Sequence, residues 1–273
     1  MANIRSERFH PAVLIPVYNH PNTIENVVKA VLAQHFPVIL VDDGSDDVTR
    51  AACERAAEEK NVMLIRRAEN GGKGAAVLTG FHAAAKAGYT HLLQIDADGQ
   101  HDLSRITPFI ALARRYPDQL ICGYPEYDRT VPPARYWGRK LTNFWVDVNA
   151  LTLSVEDAMC GMRVYPVAAV EQLAARTKIG LRMEFDPEIL VRLIWMGLRI
   201  RNLPVRVTYP KDGISHFQGF ADNVRISGMH AKLCILMLTR IPVILMSRLT
   251  GWMPPEPDKP KASPAVLPPK SKP

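Results

Sequence analysis

The sequence lacks the features that mark secreted proteins and disulfide scaffolds. Its four cysteines are spread along 273 residues without a C-x-x-C pair, and the N-terminal stretch MANIRSERFH has no apolar core of the kind found in signal peptides. We therefore expect a reducing, cytoplasmic setting.

A nucleic-acid-binding pattern is also missing. The net charge is +7, but the chain has no basic arm and no continuous run of Lys and Arg with interleaved aromatic residues. No nucleic acid is expected as a partner. A moderate positive charge fits an acidic small molecule or an anionic membrane surface better.

Two common phosphate-binding motifs are absent as well. The glycine-rich segment NGGKGAA, residues 70–76, matches neither G-x-x-x-x-G-K-[ST] nor G-x-G-x-x-G. This disfavours a P-loop protein and a dinucleotide-binding fold. The segment can still begin a helix whose backbone amides approach a phosphate while Lys73 adds positive charge, and an ordinary loop and helix start is the alternative.

The composition that is present fits one large α/β domain. Hydrophobic residues make up 47% of the chain and charged residues 22%, which is ordinary for a folded protein. The exception is the segment from Pro254 to Pro273, where twenty residues include eight prolines and four lysines. We predict that this segment is a disordered tail.

Apolar runs rich in β-branched residues alternate with helix-like stretches. The predicted strands are 12–17, 38–41, 62–65, 91–95 and 119–123, with an extended segment at 200–209, and the predicted helices are 23–34, 47–60, 74–87, 107–115 and an amphipathic one at 183–196. This alternation predicts a mostly parallel sheet with helices on both faces. Ligands bind at the carboxyl ends of the strands in such sheets, so the residues after each strand are the candidates for chemistry.

Two adjacent carboxylates, Asp42 and Asp43, follow the second predicted strand. A tight turn explains the next residues, with Gly44 at positive φ and Ser45 or Asp46 capping the following helix. It does not explain two carboxylates, which can accept hydrogen bonds from a ribose hydroxyl or a base N–H. Both interpretations remain open on this segment alone.

The stretch DADGQH follows the fourth predicted strand. Asp96 and Asp98 are two residues apart, a spacing that lets both reach one hard cation, and oxygen ligands favour Mg²⁺ or Mn²⁺ over zinc. A solvated acidic turn is the alternative for an isolated D-x-D. Polar residues after two other strands favour the metal site.

Four motifs carry a resemblance to a known family. PVYN, VDDGS, NGGKGAA and DADGQH, in this order and at these intervals, resemble the nucleotide-sugar-binding half of family 2 glycosyltransferases with the GT-A fold over residues 11–123. DADGQH is similar to the form in the branch that includes dolichyl-phosphate mannosyltransferases and bacterial polyprenyl-phosphate sugar transferases. The resemblance implies that Mg²⁺ or Mn²⁺ is held by Asp96, Asp98 and Gln100. It also implies that seven residues surround the nucleotide-sugar donor: Pro16, Tyr18, Asn19, Asp42, Asp43, Lys73 and Asp96.

The second half resembles the family more loosely. EDAMCGMRVY, residues 156–165, is similar to the acidic acceptor-loop segment, which implies Asp157 as the catalytic base or acceptor-orienting carboxylate and Arg163 as an anion contact. A loop salt bridge is the alternative. Glu188 corresponds to an acidic helix position that faces the acceptor, with a solvent-facing glutamate as the alternative. His216 stands where the branch more often has Lys or Arg, and an unperturbed histidine at this acceptor-binding position is mostly uncharged at neutral pH.

Residues 223–249 contain two apolar blocks separated by Thr239, Arg240 and Pro242. Neither block reaches the roughly twenty residues that a membrane span needs. Joined, they would place Arg240 near the bilayer centre at a cost of about 3 kcal/mol, with Pro242 breaking the helix nearby. The basic residues, which are Arg225, Lys232, Arg240 and Arg248, instead predict one helix or two short ones at an anionic membrane surface. Packing on the domain is the alternative.

The predicted organisation is a GT-A domain over residues 1–220, with a nucleotide-sugar-binding half (1–123) and an acceptor half (124–220). Membrane-associated helices (221–250) and the tail (251–273) follow. The function implied is metal-dependent, inverting transfer of a sugar from a UDP- or GDP-linked donor to a lipid-linked or membrane-presented acceptor, by a cytoplasmic enzyme peripherally bound to the membrane. A sugar-phosphate nucleotidyltransferase and a catalytically silent nucleotide-sugar-binding protein are the alternatives. PVYN at the first strand end argues against the former, and the intact Asp96 and Asp98 argue against the latter.

Overall fold

A computed structural model describes residues 9–126, 131, 133–208 and 219–250. The strands are β1 (Pro11–Val17), β2 (Val38–Asp42), β3 (Val62–Arg66), β4 (His91–Gln94), β5 (Gln119–Glu126), β6 (Arg163–Pro166) and β7 (Arg199–Arg206). The helices are α1 (Ile24–Leu32), α2 (Asp47–Ala57), α3 (Lys73–Lys86), α4 (Ile106–Arg115), α5 (Pro133–Ala150), α6 (Val167–Ala174), α7 (Phe185–Trp195) and α8 (Gly219–Thr250). The strands and helices predicted for the first half of the chain are all present, with boundaries shifted by a few residues.

The seven strands form one sheet in the order β3-β2-β1-β4-β6-β5-β7. Strands β1 to β4 pair in parallel, as do β5 and β7, whereas β6 is antiparallel to both of its neighbours. The predicted mostly parallel sheet is confirmed. Strand β6 was not predicted; it has four residues and overlaps the end of the segment interpreted as an acceptor loop.

The central strands are apolar along their length because helices cover both faces of the sheet. Alternate residues of β1 enter different cores: Val13 and Ile15 pack with α1, α2 and α4, and Ala12 and Leu14 pack with α3 and α7. Each of these four side chains is fully buried. The two cores hold the sheet rigid, and the loops at its carboxyl edge are therefore held at fixed positions.

Helix α7 is present as predicted, but it is not amphipathic. Every residue from Phe185 to Trp195 is buried. The polar residues that suggested a solvent-facing side pair with each other, since Arg192 Nε donates to Glu188 Oε1 at 2.9 Å. A buried ion pair one turn apart looks like a polar face in the sequence.

Helix α8 is one continuous helix of 32 residues that includes Pro242. Proline removes one backbone hydrogen bond, and here it lies on the exposed side, where water can satisfy the freed carbonyl. The single helix, one of the two predicted arrangements, is observed, and the predicted break at Pro242 is wrong. Among the described residues, the segment Gly219–Met246 is long and apolar enough to cross a membrane, with a mean hydropathy of 1.6 over 18 residues, of which 33% are buried.

One side of α8 packs on the domain. Five apolar side chains of this helix belong to the core on that side of the sheet: Ile226, Met229, Leu233, Met237 and Ile244. Arg240 lies on the same side, 6% exposed, with its guanidinium carbon 5.4 Å from the centre of the Trp195 ring. The prediction that Arg240 contacts anionic lipid is therefore wrong, because the side chain turns toward the protein. Packing on the domain, the stated alternative for this segment, is observed.

Candidate active site

The loops after β1 and β2 are tied together at the carboxyl edge of the sheet. Asn19 has a left-handed backbone with φ 54°, and its N–H donates to Ser45 Oγ at 3.1 Å. Its side-chain Oδ1 accepts from Asp46 N at 2.9 Å. Asp46 in turn caps α2 by accepting from Thr49 N at 2.8 Å, as predicted. The PVYN loop therefore has a fixed shape next to the end of β2.

The two carboxylates after β2 are buried and hold the surrounding loops. Asp42 Oδ1 accepts from Ser45 N at 3.0 Å, and its Oδ2 lies 3.3 Å from Arg66 Nε. Asp43 accepts from Arg67 Nε at 2.7 Å and from two amides of the glycine-rich loop, at 3.1 and 2.8 Å. Gly44 has φ 70°, as the predicted turn requires. Their roles in nucleotide binding stay predictions, and any such contact is additional to these structural bonds.

The amides of the glycine-rich loop are already bonded within the protein. Gly71 N and Gly72 N donate to the carboxylate of Asp43, and Gly74 N, in the first turn of α3, donates to Leu181 O at 2.8 Å. A phosphate cradle needs such amides to face a ligand. The interpretation of this loop as a backbone phosphate site is therefore wrong for these three amides.

Lys73 connects the end of β4 to the start of α7. Its Nζ lies 2.8 Å from Asp96 Oδ1 and 2.7 Å from Asp186 Oδ2. Burial alone would lower the pKa of Lys73, but the carboxylates of Asp186 and then Asp96 raise it, so the ammonium stays charged. The predicted contact of Lys73 with a donor phosphate would require it to leave one of these partners.

Asp96 and Asp98 lie together just beyond β4 but differ in their electrostatic surroundings. Burial would raise the pKa of Asp96, but Lys73 and then His101 hold it below its usual value. The pKa of Asp98 is raised, first by burial and then by the negative charge of Asp96. Asp98 Oδ1 accepts from Gln100 N at 3.0 Å, which fixes the turn between them. The two carboxylates repel each other, and a divalent cation would relieve that repulsion.

The backbone of Gly161, just before β6, passes directly against the carboxylate of Asp96. A Cβ at position 161 would overlap all three terminal atoms of the Asp96 side chain. Only glycine leaves room for the carboxylate there. The acceptor half of the chain thus forms one wall of the acidic site.

The donor set fits Mg²⁺ or Mn²⁺. The described residues contain no group of three or more His, Cys, Asp and Glu side chains placed to hold a metal ion. A site at Asp96 and Asp98 would therefore take its other ligands from an amide such as Gln100, from water or from substrate oxygens. Few protein carboxylates with several open positions are typical of Mg²⁺ sites.

His101 is buried beside the acidic site and was not singled out in the sequence. Its Nε2 lies 3.7 Å from Cys160 Sγ. Burial would lower the pKa of His101, but Cys160 and then Asp96 and Asp98 raise it to about 9. A protonated His101 adds positive charge that favours the ionised forms of Asp96 and Asp98.

Asp157 forms a two-pronged ion pair with Arg139 of α5. Arg139 Nε and Nη2 donate to its two carboxylate oxygens at 3.0 and 2.8 Å, and Met159 N donates to the same carboxylate at 2.8 Å. Burial would raise the pKa of Asp157, but Arg139 holds it below its usual value. A cavity of about 200 Å³ opens next to this pair, lined also by Tyr124, Pro125, Tyr136, Lys140, Asn143 and Glu156.

The other predicted acceptor residues lie deeper or outside the described residues. Arg163 is fully buried in β6, and its Nη1 donates to Asp186 O at 2.8 Å. Glu188 is buried and accepts from Gly180 N at 2.8 Å in addition to Arg192, so the solvent-facing alternative is wrong. His216 lies outside the described residues. The acceptor roles of these residues stay predictions.

Besides His101, the structure adds three residues to the candidate site. Asp186 anchors Lys73, Arg139 pairs with Asp157, and Gly161 makes room for Asp96. Asp186 lies two residues before Glu188, in FDPE at the start of α7, and this acidic helix start was the available signal for it. The pairs join positions that are 18 to 113 residues apart, and one sequence alone does not give such pairing.

Comparison with known proteins identifies the family. The sequence profile described as Glycosyl transferase family 2 matches residues 12–174. The chain is 26% identical over 230 residues to polyprenol monophosphomannose synthase of Mycolicibacterium smegmatis, with 78% of this chain and 82% of that protein covered. It is 28% identical over 220 residues to undecaprenyl-phosphate mannosyltransferase of Micrococcus luteus, with coverage of 76% and 86%.

Solved structures share the fold. Glucosyl-3-phosphoglycerate synthase of Mycobacterium tuberculosis, crystallised with Mn²⁺, UDP and phosphoglyceric acid, superimposes with a TM-score of 0.63 at 15% identity. The match covers 82% of this chain and 78% of that one. The predicted GT-A fold is confirmed.

Proposed function

The chain belongs to glycosyl transferase family 2 and is a glycosyltransferase, and we propose that it transfers a sugar from a nucleotide-sugar donor to a polyprenyl or dolichyl phosphate. The two relatives described above are named for mannose transfer to polyprenyl carriers. The observation that carries the choice of a phosphate acceptor is the state of Asp157, which is an ion-paired carboxylate with a lowered pKa.

A hydroxyl acceptor and a phosphate acceptor make different demands on this carboxylate. A hydroxyl must lose its proton during attack, and an effective general base has a pKa near the working pH. The bidentate bonds from Arg139 and the lowered pKa make Asp157 a weak base. A lipid phosphate has an anionic oxygen and needs no base, so Asp157 has the role of orienting Arg139 rather than removing a proton.

The acceptor phosphate would bind at the cavity beside α5. Arg139 and Lys140 line this cavity with two positive charges, alongside the carboxylates of Glu156 and of Asp157, which pairs with Arg139. Arginine and lysine are the usual phosphate ligands, and a guanidinium can bond a carboxylate and a phosphate with different N–H groups. Arg139 and Lys140 therefore offer charged hydrogen bonds to an anionic headgroup, in a cavity whose two acids balance their charge before the headgroup binds.

The donor would bind at the carboxyl ends of β1, β2 and β4. The loop of Tyr18 and Asn19, the carboxylates of Asp42 and Asp43, and the pair Asp96 and Asp98 lie at this edge of the sheet. Mg²⁺ or Mn²⁺ held by Asp96, Asp98 and Gln100 would neutralise the charge that develops on a departing nucleoside diphosphate. The protein supplies the fixed carboxylates, and Lys73 and Gly161 hold Asp96 in place.

A cytoplasmic location with attachment to the membrane surface is part of this proposal, and an exposed apolar stripe on α8 supports the attachment. The stripe follows one side of the helix, opposite the side packed on the domain, and consists of Phe220, Val224, Ile235, Leu238, Leu245, Met246 and Leu249. Helix α5 contributes a second exposed group: Trp137, Leu141, Phe144 and Trp145. Because α8 also packs on the catalytic domain, it fits lipid on one side more readily than on all sides.

The test is nucleotide release from UDP- and GDP-sugars with Mg²⁺ or Mn²⁺, with and without undecaprenyl phosphate. We expect lipid-dependent release and a radiolabelled sugar in the lipid fraction, both lost in Asp98→Ala and kept in the surface variant Arg50→Ala. Formation of a nucleotide-sugar from a nucleoside triphosphate and a sugar phosphate would instead identify a nucleotidyltransferase. Donor binding without turnover on any acceptor would identify a silent binding protein.

A further inference from the structure

The ammonium of Lys73 occupies one oxygen of a carboxylate that the proposed function assigns to the metal. Lys73 Nζ is 2.8 Å from Asp96 Oδ1, and the Lys73 side chain is only 19% exposed. The contact is a close, shielded ion pair rather than a surface bridge, so it is expected to persist in solution. A cation that coordinates the same oxygen has to displace the ammonium.

Lys73 is held in this place by the backbone. It is the first residue of α3 and follows Gly72, which has φ 95° and donates its N–H to Asp43. A Cβ at Gly72 would meet Leu181 O at 2.5 Å. The start of the helix therefore cannot shift freely, and the ammonium is aimed at the acidic site by a rigid segment.

The second partner of Lys73 is also fixed. Asp186 Oδ1 accepts from Gln94 Nε2 at 3.3 Å, and the main-chain oxygen of Asp186 accepts from the buried Arg163 at 2.8 Å. Lys73 Nζ lies 2.7 Å from Asp186 Oδ2. If Lys73 leaves Asp96, its charge keeps a buried counterion, which lowers the cost of the exchange.

From this geometry we propose that Lys73 is the internal counterion of the metal site: in the nucleotide-free enzyme it occupies Asp96, and Mg²⁺ or Mn²⁺ binds in competition with it. Lys73 is thus a positioning residue that acts through Asp96. Free divalent ions bind weakly for this reason. A donor diphosphate brings new negative charge for both cations, so metal and donor bind more tightly together than separately.

The inference rests on the proposed metal site, and two substitutions separate it from that site. Lys73→Met removes the ammonium. The double variant Lys73→Met, Asp186→Asn also removes the carboxylate of Asp186, which would be left buried without its Lys73 partner. The four side chains Lys73, Asp96, Asp98 and Asp186 carry a summed charge of −2, and the two acids left in the double variant carry the same sum. The double variant therefore tests occupation of Asp96 rather than overall charge.

The measurement is the Kd of Mn²⁺ alone at pH 8, from the electron paramagnetic resonance signal of free Mn²⁺, without nucleotide or lipid. We expect the Kd to fall about tenfold or more in both variants. Lys86→Met, at an exposed lysine in the last turn of the same helix, should leave it unchanged. Melting curves establish that each protein is folded, and the double variant serves if Lys73→Met alone does not fold.

The outcomes distinguish the competition by Lys73 from the existence of the metal site. A Kd in the double variant equal to or higher than that of the wild type overturns the competition, while the metal site itself stands if the wild type binds Mn²⁺ and Asp98→Ala does not. Binding that appears only after Lys73 is removed supports the competition in its strongest form. If neither the wild type nor the variants bind Mn²⁺, both the metal site and the inference fail.

Discussion

Arg139 donates two hydrogen bonds to the carboxylate of Asp157, at 3.0 and 2.8 Å, across the cavity wall beside α5. The pair joins α5 to the loop before β6. It also keeps a guanidinium at the place where the proposed acceptor phosphate would bind.

Removing Arg139 should weaken acceptor binding more than donor binding. The double variant Arg139→Met, Asp157→Asn removes both members of the pair and so leaves no unpaired buried charge from it. In this variant we expect the KM for undecaprenyl phosphate to rise about 10- to 100-fold, because a charged hydrogen bond contributes about 1.5–3 kcal/mol. Asp157→Asn alone should retain most of the turnover rate. Initial rates at varied lipid concentration measure both effects. If Asp157→Asn instead slows turnover about a thousandfold, as removal of a general base can, and leaves KM unchanged, Asp157 is the base.

Gly161→Ala should disable the acidic site. The added methyl group overlaps the Asp96 carboxylate, so either Asp96 or the start of β6 must move. We expect Mn²⁺ binding and transfer to fall about 100-fold or more, because displacement of a ligand by about 1 Å removes much of the benefit of a fixed site. Gly228→Ala is the matched control, since a Cβ there meets nothing and alanine favours the helix by up to about 1 kcal/mol. Full activity of Gly161→Ala would contradict the close approach.

The docking of α8 should weaken in mild acid. His230 is buried and accepts a hydrogen bond from Asn149 Nδ2 at 3.0 Å through Nδ1, which fixes the neutral ring. Burial lowers its pKa to about 4, below the value of about 6.5 in an unfolded chain. A pKa that is lower in the folded state means that the stabilisation is complete above pH 6.5 and is lost as the pH falls toward 4. We expect the free energy of unfolding to drop by about 1–2 kcal/mol between pH 7.5 and 5 from this residue.

Urea unfolding at the two pH values measures this loss. His230→Gln should remove the His230 share of the difference, whereas His82→Gln, at a largely exposed histidine, should not. An equal pH dependence in the wild type and His230→Gln would contradict the assignment.

The exposed stripe of α8 should bind anionic vesicles. Val224 is 56% exposed in this stripe, and Val48, on α2, is 66% exposed elsewhere on the domain. Val224→Glu should lower the affinity for phosphatidylglycerol vesicles about tenfold, because it replaces apolar contact by a charge that anionic lipid repels. Val48→Glu introduces the same change outside the stripe and should have no effect. Vesicle sedimentation measures both affinities. Equal effects of the two substitutions would reject the stripe as the lipid-binding face.

The sequence alone was sufficient to predict the elements that have a distinctive local residue pattern. β1, β2 and β4 are continuous apolar runs flanked by turn residues, and the acidic and glycine-bearing turns after them identified the edge where the site lies. It was insufficient for β6, because four residues that lead directly into α6 are too short to show a strand period. The burial of α7 was missed for a different reason: Glu188 and Arg192 compensate each other inside the protein, and a sequence does not distinguish such a pair from a solvated one.

Some residues of the candidate site could likewise be predicted from the sequence and others could not. Asp96 and Asp98 could be predicted from the sequence because they follow a strand directly. Their role as metal ligands stays a prediction. Asp186, Arg139 and Gly161 act through contacts with partners far along the chain. The two interpretations of the glycine-rich loop stayed open in the sequence because its amides bond to Asp43 and Leu181, whose positions only the folded chain defines.

The bond from Gly74 N to Leu181 O has a consequence for how the enzyme can be divided. The carbonyl that closes the first turn of α3 comes from a segment that follows more than a hundred residues later, and the lysine at that turn is anchored there too. A fragment ending at residue 123 would lose both. Truncation should therefore not yield a stable donor-binding half, and engineered hybrids of related transferases should exchange the segment before α7 together with the glycine-rich loop.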